Sequence, residues 1–105
     1  AGDFYDLSPA GERVSWYQSR GIEVAHWGNY PGHLHFVGRI KKPLPTLSTS
    51  TEYDVFSSLY PNARLVVYVN DIGEALQHEV EYWQPFRGRF LVIAPISALR
   101  GVLNR

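Results

Sequence analysis

The first hydrophobic pattern along the chain has the spacing of an amphipathic helix. Ala10, Val14 and Tyr17 recur at i, i+4 and i+7, which places them on one helical face. Ser8 stands directly before a proline, an arrangement typical of an N-cap residue followed by the first helical residue. A basic last turn and a glycine follow, as at many helix ends. The pattern predicts a helix over residues 9–20.

The next two segments alternate with the period of a strand. Apolar and polar side chains alternate through residues 22–27 and again through residues 33–40. Residues 28–32 between them are turn formers, so the two segments are predicted to pair as a β-hairpin. Residues 41–48 contain two prolines, each of which removes a ladder donor, and are predicted to be a connector.

The second half of the chain contains the segments expected to be most buried. Thr49 and Glu52 have the spacing of a capping box, which predicts a second helix over residues 50–60. Residues 65–69 are continuously apolar and rich in β-branched side chains. This pattern is typical of a strand covered on both faces, so we expect it to be central in a sheet.

The remaining segments complete an alternation of strands and helices. We predict a short helix over 72–77, an edge strand over 80–86 that contains Pro85, a buried strand over 90–94 and a short closing helix over 96–103. The fold class predicted is α+β: a mixed β-sheet of about five strands with helices packed on it. The expected order is α-β-β-α-β-(α)-β-β-(α).

Composition limits both size and chemistry. The 105 residues, 12.0 kDa and 45% hydrophobic content predict one soluble globular domain over residues 1–105. Ten basic and ten acidic residues give a net charge of zero at pH 7, so nucleic acid is not expected as a partner. The absence of cysteine excludes disulfides, thiolate metal sites and a cysteine nucleophile. The absence of methionine leads us to expect a piece of a longer protein.

One set of side chains combines aromatic rings with cationic or imidazole groups, which suits the binding of sugars and phosphates. Its members are Trp27, Tyr30, His33, His35, Arg39, Trp83, Arg87 and Arg89. A purely structural interpretation competes with this one, because aromatic rings also fill the cores of small domains and arginines often end strands in solvent.

Other kinds of site are weakly supported by the residues. His33 and His35 lie two positions apart on a predicted strand and could share a metal ion, but a catalytic zinc takes about three protein ligands and the sequence places no third. We therefore predict no metal site and no cofactor. The serines lack the surroundings of a nucleophile elbow, capping explains several carboxylates, and the glycines form no phosphate-binding fingerprint.

Three short motifs occur in an order that resembles a known family. Residues 21–25 read G-I-E-V-A, a Tyr-Pro-Gly turn at 30–32 leads to F-V-G-R-I-K-K-P-L at 36–44, and residues 84–93 read Q-P-F-R-G-R-F-L-V-I. This order resembles the soluble C-terminal periplasmic region of bacterial polytopic membrane glycosyltransferases of the GT-C type. Relatives of that group include the dolichyl-phosphate-mannose protein mannosyltransferases and the lipid A aminoarabinose transferase. Glu23 stands where the family pattern has proline.

The resemblance implies a parent enzyme that transfers a sugar from a polyprenyl-phosphate donor to a lipid or protein acceptor, on the periplasmic side of the inner membrane. In that family the catalytic carboxylates lie in early loops of the membrane part, so the resemblance implies no catalytic residue in this chain. The chain would be a noncatalytic accessory domain, with the membrane-embedded part of the same chain and the lipid-linked sugar or acceptor as partners. Two alternatives stay open: a free-standing sugar- or anion-binding module of α+β fold, and a small metal-dependent hydrolase built on His33 and His35.

Overall fold

The computed structural model describes residues 5–28 and 40–103, and they form a mixed sheet with helices. Along the chain the elements are helix α1 (Ser8–Ser19), strand β1 (Val24–Trp27), strand β2 (Thr46–Leu47), helix α2 (Ser50–Leu59), strand β3 (Arg64–Val69), helix α3 (Glu74–Gln77), strand β4 (Tyr82–Phe86), strand β5 (Arg89–Pro95), a 3-10 turn (Ile96–Leu99) and helix α4 (Arg100–Leu103). The predicted α+β class, a mixed sheet of five strands with helices, is confirmed. No helix in these ranges is both long and apolar enough to cross a bilayer.

The five strands found in the described ranges lie in the order β2-β1-β3-β5-β4. Strand β1 runs parallel to both β2 and β3, whereas β5 is antiparallel to both β3 and β4. Strand β3 is central and β4 is at an edge, as predicted. Phe86 and Arg89 flank the two-residue turn before β5 and form a hydrogen-bonded pair. Hydrogen-bonded and non-hydrogen-bonded pairs alternate along an antiparallel ladder, so the next residue, Pro85, has its nitrogen facing away from β5. A proline at this position therefore removes no bond from the β4–β5 ladder.

The sheet separates two apolar layers. Alternate residues of β3 face opposite ways, so Val66 packs with α1 while Leu65 and Val67 pack with α2, and all three are buried. The layer on the α1 face consists of Ala10, Val14, Tyr17, Val24, Val66, Phe86, Leu91 and Ile93. Residues from α2, α3, the 3-10 turn and α4 cover the other face. Burial on both faces explains the continuous apolar run of β3.

The helix starts show one correct and one wrong prediction. Helix α2 begins with the predicted capping box: the Thr49 hydroxyl accepts the Glu52 N–H at 3.1 Å, and the Glu52 carboxylate accepts the Thr49 N–H at 3.1 Å. Helix α1 begins at Ser8 with Leu7 as its N-cap, so the prediction that Ser8 is the N-cap is wrong. The Asp6 carboxylate accepts the Ser8 N–H at 2.9 Å, so the side-chain acceptor at this helix start is an aspartate that precedes the N-cap.

The described strand that follows β1 was not predicted. Thr46 and Leu47 form β2 inside the segment predicted to be a connector, so that prediction is wrong for these two residues. The Pro45 carbonyl accepts the His26 N–H at 2.8 Å, and the Leu47 carbonyl accepts the Gly28 N–H at 2.7 Å. Proline lacks a donor but keeps its acceptor, which is all this edge pairing requires. The predicted partner strand at residues 33–40 lies outside the described residues except for its last position.

The short helix after β3 is also shorter than predicted. It covers Glu74–Gln77 with Gly73 at its N-cap, so the predicted start at residue 72 is wrong by two residues. The preceding residues 71–73 have no regular structure.

Candidate functional site

The predicted aromatic and cationic set is only partly within the described structure. Tyr30, His33, His35 and Arg39 lie outside the described residues, so their part of the prediction stays a prediction. The hydrolase hypothesis depends on the same two histidines. Trp27, Trp83, Arg87 and Arg89 are described, and they do not gather at one place.

Trp27 and Trp83 lie on one face of the sheet but near its opposite sides. Strands β3 and β5 separate their strands, and three strand spacings of about 4.8 Å put roughly 14 Å between the two backbones. Trp27 is half-buried and packs edge-on against Tyr53 of α2, with ring centroids 6.2 Å apart at 88°. Core packing therefore accounts for Trp27, whereas Trp83 is 53% exposed.

Arg87 and Arg89 flank the tip of the β4–β5 hairpin, and both are exposed. The turn consists of Arg87 at φ 50° and Gly88 at φ 77°, the positive values typical of a type I′ turn. Of the described residues other than glycine, only Arg87 has a positive φ. Its guanidinium lies 5.3 Å from the centroid of the Phe86 ring. The hairpin therefore presents two cationic side chains to solvent.

A first depression, which we call the Trp83 pocket, lies beside Trp83 on the α2 face of the sheet. It has a volume of about 520 Å³ and is lined by Ile72, Val80, Trp83 and Phe90, with Asp71 and Gln77 contributing polar groups. Trp83 and Phe90 meet edge to face, with ring centroids 5.7 Å apart. The sequence prediction had included Trp83 but none of these neighbours.

A second depression, which we call the Trp16 pocket, was missed by the sequence prediction. It has a volume of about 590 Å³ and is lined by Pro9, Glu12, Arg13 and Trp16 of α1 and by Tyr82 of β4. Tyr82 and Trp83 are adjacent in β4 and point to opposite sheet faces, so the two pockets lie on opposite faces of the same edge strand. Trp16 is 47% exposed although it belongs to a packed helix. The sequence held one signal for this exposed position: Trp16 lies outside the apolar stripe of Ala10, Val14 and Tyr17.

A polar network holds α1 against the sheet next to the Trp16 pocket. The Tyr17 hydroxyl donates to the Glu81 carboxylate, and the Arg64 Nε donates to the same oxygen at 2.7 Å. Partial burial would raise the pKa of Glu81, but the hydrogen bonds from Arg64 and Tyr17 outweigh it and the pKa is lowered. Burial raises the pKa of Tyr17, and the bond to Glu81 adds to this rise. Glu81 is therefore held ionised and Tyr17 protonated.

The described residues contain no group of three or more histidine, aspartate or glutamate side chains that could hold a metal ion. Comparison of the chain with protein-family models, with characterised proteins and with solved structures finds no match. Function is therefore inferred from the residues of this chain.

Proposed function

We propose that this chain is a noncatalytic accessory domain of a membrane glycosyltransferase that transfers a sugar from a polyprenyl-phosphate donor to a lipid or protein acceptor. The proposal places the domain on the periplasmic side of the bacterial inner membrane, in contact with the membrane-embedded part of the same protein. The motif order given above is its starting point. The observation that carries it is the conformation of the β4–β5 hairpin, which contains the last of those motifs.

Local conformation alone does not favour an arginine at the first turn position. Type I′ turns prefer asparagine, aspartate or glycine there because both central residues need positive φ. Arg87 adopts φ 50° despite this preference. Residues that contradict the local rule are expected mainly where function requires them.

The hairpin tip has a chemistry suited to the proposed partners. Arg87 and Arg89 are both exposed, and a guanidinium can bind phosphate oxygens or carboxylates in a bidentate manner. A polyprenyl-phosphate donor offers phosphate oxygens, and acidic loops of a membrane domain offer carboxylates. A positioning contact of this kind needs no reacting group in the accessory domain.

The proposal is tested in the complete protein that contains this sequence. Sugar transfer from a labelled polyprenyl-phosphate donor is measured in membranes with the double variant R87N/R89Q and with R100Q as the matched control. Arg100 is also an exposed arginine, but it lies in α4 and pairs with Asp54 at 2.8 Å. Removing two charge-assisted contacts should reduce transfer by about tenfold or more, whereas the control should retain activity.

Two results would reject the proposal. Transfer catalysed by the isolated 105-residue chain would contradict its noncatalytic role. A complete reading frame without apolar spans of about 20 residues would remove the membrane parent.

A second candidate, a free-standing sugar- or anion-binding module, is favoured by the two aromatic pockets on either side of β4. Concave sites that combine aromatic walls with a few polar groups are the usual form of small-molecule sites. This candidate replaces the first if the complete protein has no membrane part and the chain shows saturable ligand binding.

A further inference from the structure

We infer that the Trp16 pocket is a binding site for a neutral pyranose sugar, which stacks on the Trp16 indole and hydrogen-bonds to Arg13 and Glu12. This inference does not depend on a membrane parent, because the residues that carry it are described residues of this chain. It also differs from the described part of the predicted aromatic and cationic set, since Trp27, Trp83, Arg87 and Arg89 do not line this pocket.

The Trp16 ring is an exposed platform with a fixed orientation. Its neighbour Tyr17 meets it edge to face, with ring centroids 5.4 Å apart at 80°. The Arg20 guanidinium lies 3.7 Å from the indole centroid and covers one face of the ring, so a ligand would stack on the opposite face. Arg20 also donates to the Trp16 carbonyl at 3.3 Å. Because these contacts already order the indole, less side-chain entropy is lost when a ligand stacks on it. The apolar C–H face of a pyranose ring is suited to such a surface.

Arg13 is positioned to supply hydrogen-bond donors. Its Nη1 donates to the Glu81 carbonyl at 2.9 Å, and its guanidinium lies 6.0 Å from the Tyr82 ring centroid. Arg13 also interacts with the Tyr17 hydroxyl. A guanidinium carries five N–H donors in one plane, so these contacts do not use its full capacity. Glu12 provides acceptor oxygens on the same pocket wall. Sugar hydroxyls both donate and accept, so they match a paired donor and acceptor.

Charge and size select the class of ligand. Of the described residues that line the pocket, Glu12 and Arg13 are charged and of opposite sign, and Arg20 adds a positive charge at the Trp16 ring. A neutral ligand can hydrogen-bond to Arg13 without bringing a negative charge next to Glu12, as a phosphate or a carboxylate would. The volume of about 590 Å³ falls within the usual range for small-molecule sites and leaves room for more than one sugar ring.

The experiment is an NMR titration of the isotopically labelled 105-residue chain. The protein has three tryptophans, so three indole N–H signals report on binding once single substitutions have assigned them. The probes are the methyl glycosides of glucose, mannose and galactose, the oligosaccharides maltohexaose and mannohexaose, and inorganic phosphate. At least one sugar should shift the Trp16 indole signal in a saturable manner. W16A should weaken its binding by about tenfold or more, and R13Q should also weaken it.

Y60A is the matched control, because Tyr60 is a similarly exposed aromatic residue that lines neither pocket. It should bind the sugar as the unmodified chain does. Far-UV circular dichroism and urea midpoints establish that W16A and R13Q remain folded, and W16F replaces W16A if the alanine variant does not. The inference is overturned if no sugar gives saturable shifts up to its solubility limit. It is also overturned if phosphate binds more tightly than every sugar, or if W16A and Y60A lose affinity equally. None of these readouts depends on glycosyl transfer, so the result is separate from the test of the proposed function.

Discussion

The Tyr17 hydroxyl donates a hydrogen bond to the Glu81 carboxylate and thereby joins helix α1 to the residue before strand β4. Arg64, the first residue of β3, binds the same carboxylate oxygen. Three elements therefore meet at one acceptor. The Arg64 and Glu81 side chains are 18% and 32% exposed, so the ion pair is partly shielded from water.

Replacing Glu81 by glutamine should lower the free energy of unfolding at pH 7 by about 1 kcal/mol, because the ion pair and the charged acceptor of Tyr17 are both lost. The partial exposure of the pair keeps this figure modest. Urea unfolding monitored by circular dichroism measures the effect. E79Q is the control, since Glu79 is an exposed glutamate two positions away, and an equal loss in E79Q would contradict the role given to Glu81.

The same pair predicts a pH dependence. The pKa of Glu81 is lower in the folded than in the unfolded state, so its contribution is fully present above the unfolded pKa of about 4.3. It is lost as the pH falls through the lower folded-state pKa. The stability difference between the unmodified chain and E81Q should therefore shrink as the pH falls below about 4.3. A difference that stays constant down to full protonation would show that the charge of Glu81 does not stabilise the fold.

His26 should titrate below the ordinary histidine value of about 6.5. Its side chain is buried, and desolvation of the imidazolium lowers its pKa more than a hydrogen bond with the Gly28 backbone raises it. Because the unfolded chain binds a proton more readily, stability should decrease as the pH falls from about 6.5 toward the folded-state pKa. NMR titration of the histidine ring protons gives the folded value. A His26 midpoint at or above the ordinary value would contradict this prediction.

Thr49→Ala should destabilise the protein by about 1 kcal/mol, because the Glu52 N–H loses its side-chain acceptor. Thermal or urea unfolding measures the change, and faster amide exchange at Glu52 should accompany it. Thr51→Ala, at an exposed position inside the same helix, serves as the control and should be neutral or slightly stabilising. Equal losses in the two variants would mean that the capping box contributes nothing measurable.

Gly88→Ala should lower the free energy of unfolding by about 1 kcal/mol through backbone strain alone. A Cβ at Gly88 would meet no atom within 4 Å, but the residue has φ +77°. Gly101→Ala is the matched control because it also has open space, lies in a helix and lacks a positive φ, so alanine should be tolerated or favoured. An unchanged free energy of unfolding in G88A would contradict the strain argument.

Arg87→Asn should raise the free energy of unfolding by about 0.5 kcal/mol, since asparagine adopts positive φ more readily.

The parts of the fold that the sequence predicted are those determined by neighbouring residues. The capping box of Thr49 and Glu52 is a local arrangement, and the apolar run at residues 65–69 identified a strand buried on both faces. The predictions were wrong where two nearby residues could each supply the side-chain acceptor at a helix start, or where a strand pairs with a segment distant in the sequence. At the start of α1 the acceptor is Asp6 and not Ser8. Thr46 pairs with His26 of β1, in a segment whose prolines had argued against a strand.

The candidate site was less predictable because its walls come from distant parts of the sequence. Arg13 and Glu81 are hydrogen-bonded although they are 68 positions apart, and this contact places α1 beside the start of β4. Spacing along the chain carries no information about such a contact. Trp27 and Trp83 both belong to the candidate binding set, and strand order, which the pattern of side chains does not determine, separates them.

Strand order also has a consequence for the path by which the chain folds. Strands β4 and β5 are joined by a two-residue turn, whereas the parallel pairing of β1 with β3 brings Val24 beside Arg64. Closing the longer loop costs more entropy, so we expect the hairpin to form early and β1 to join late. During synthesis the order is reversed, because α1 and β1 leave the ribosome before β3. The apolar side of the N-terminal third therefore remains in water until the middle of the chain has been made.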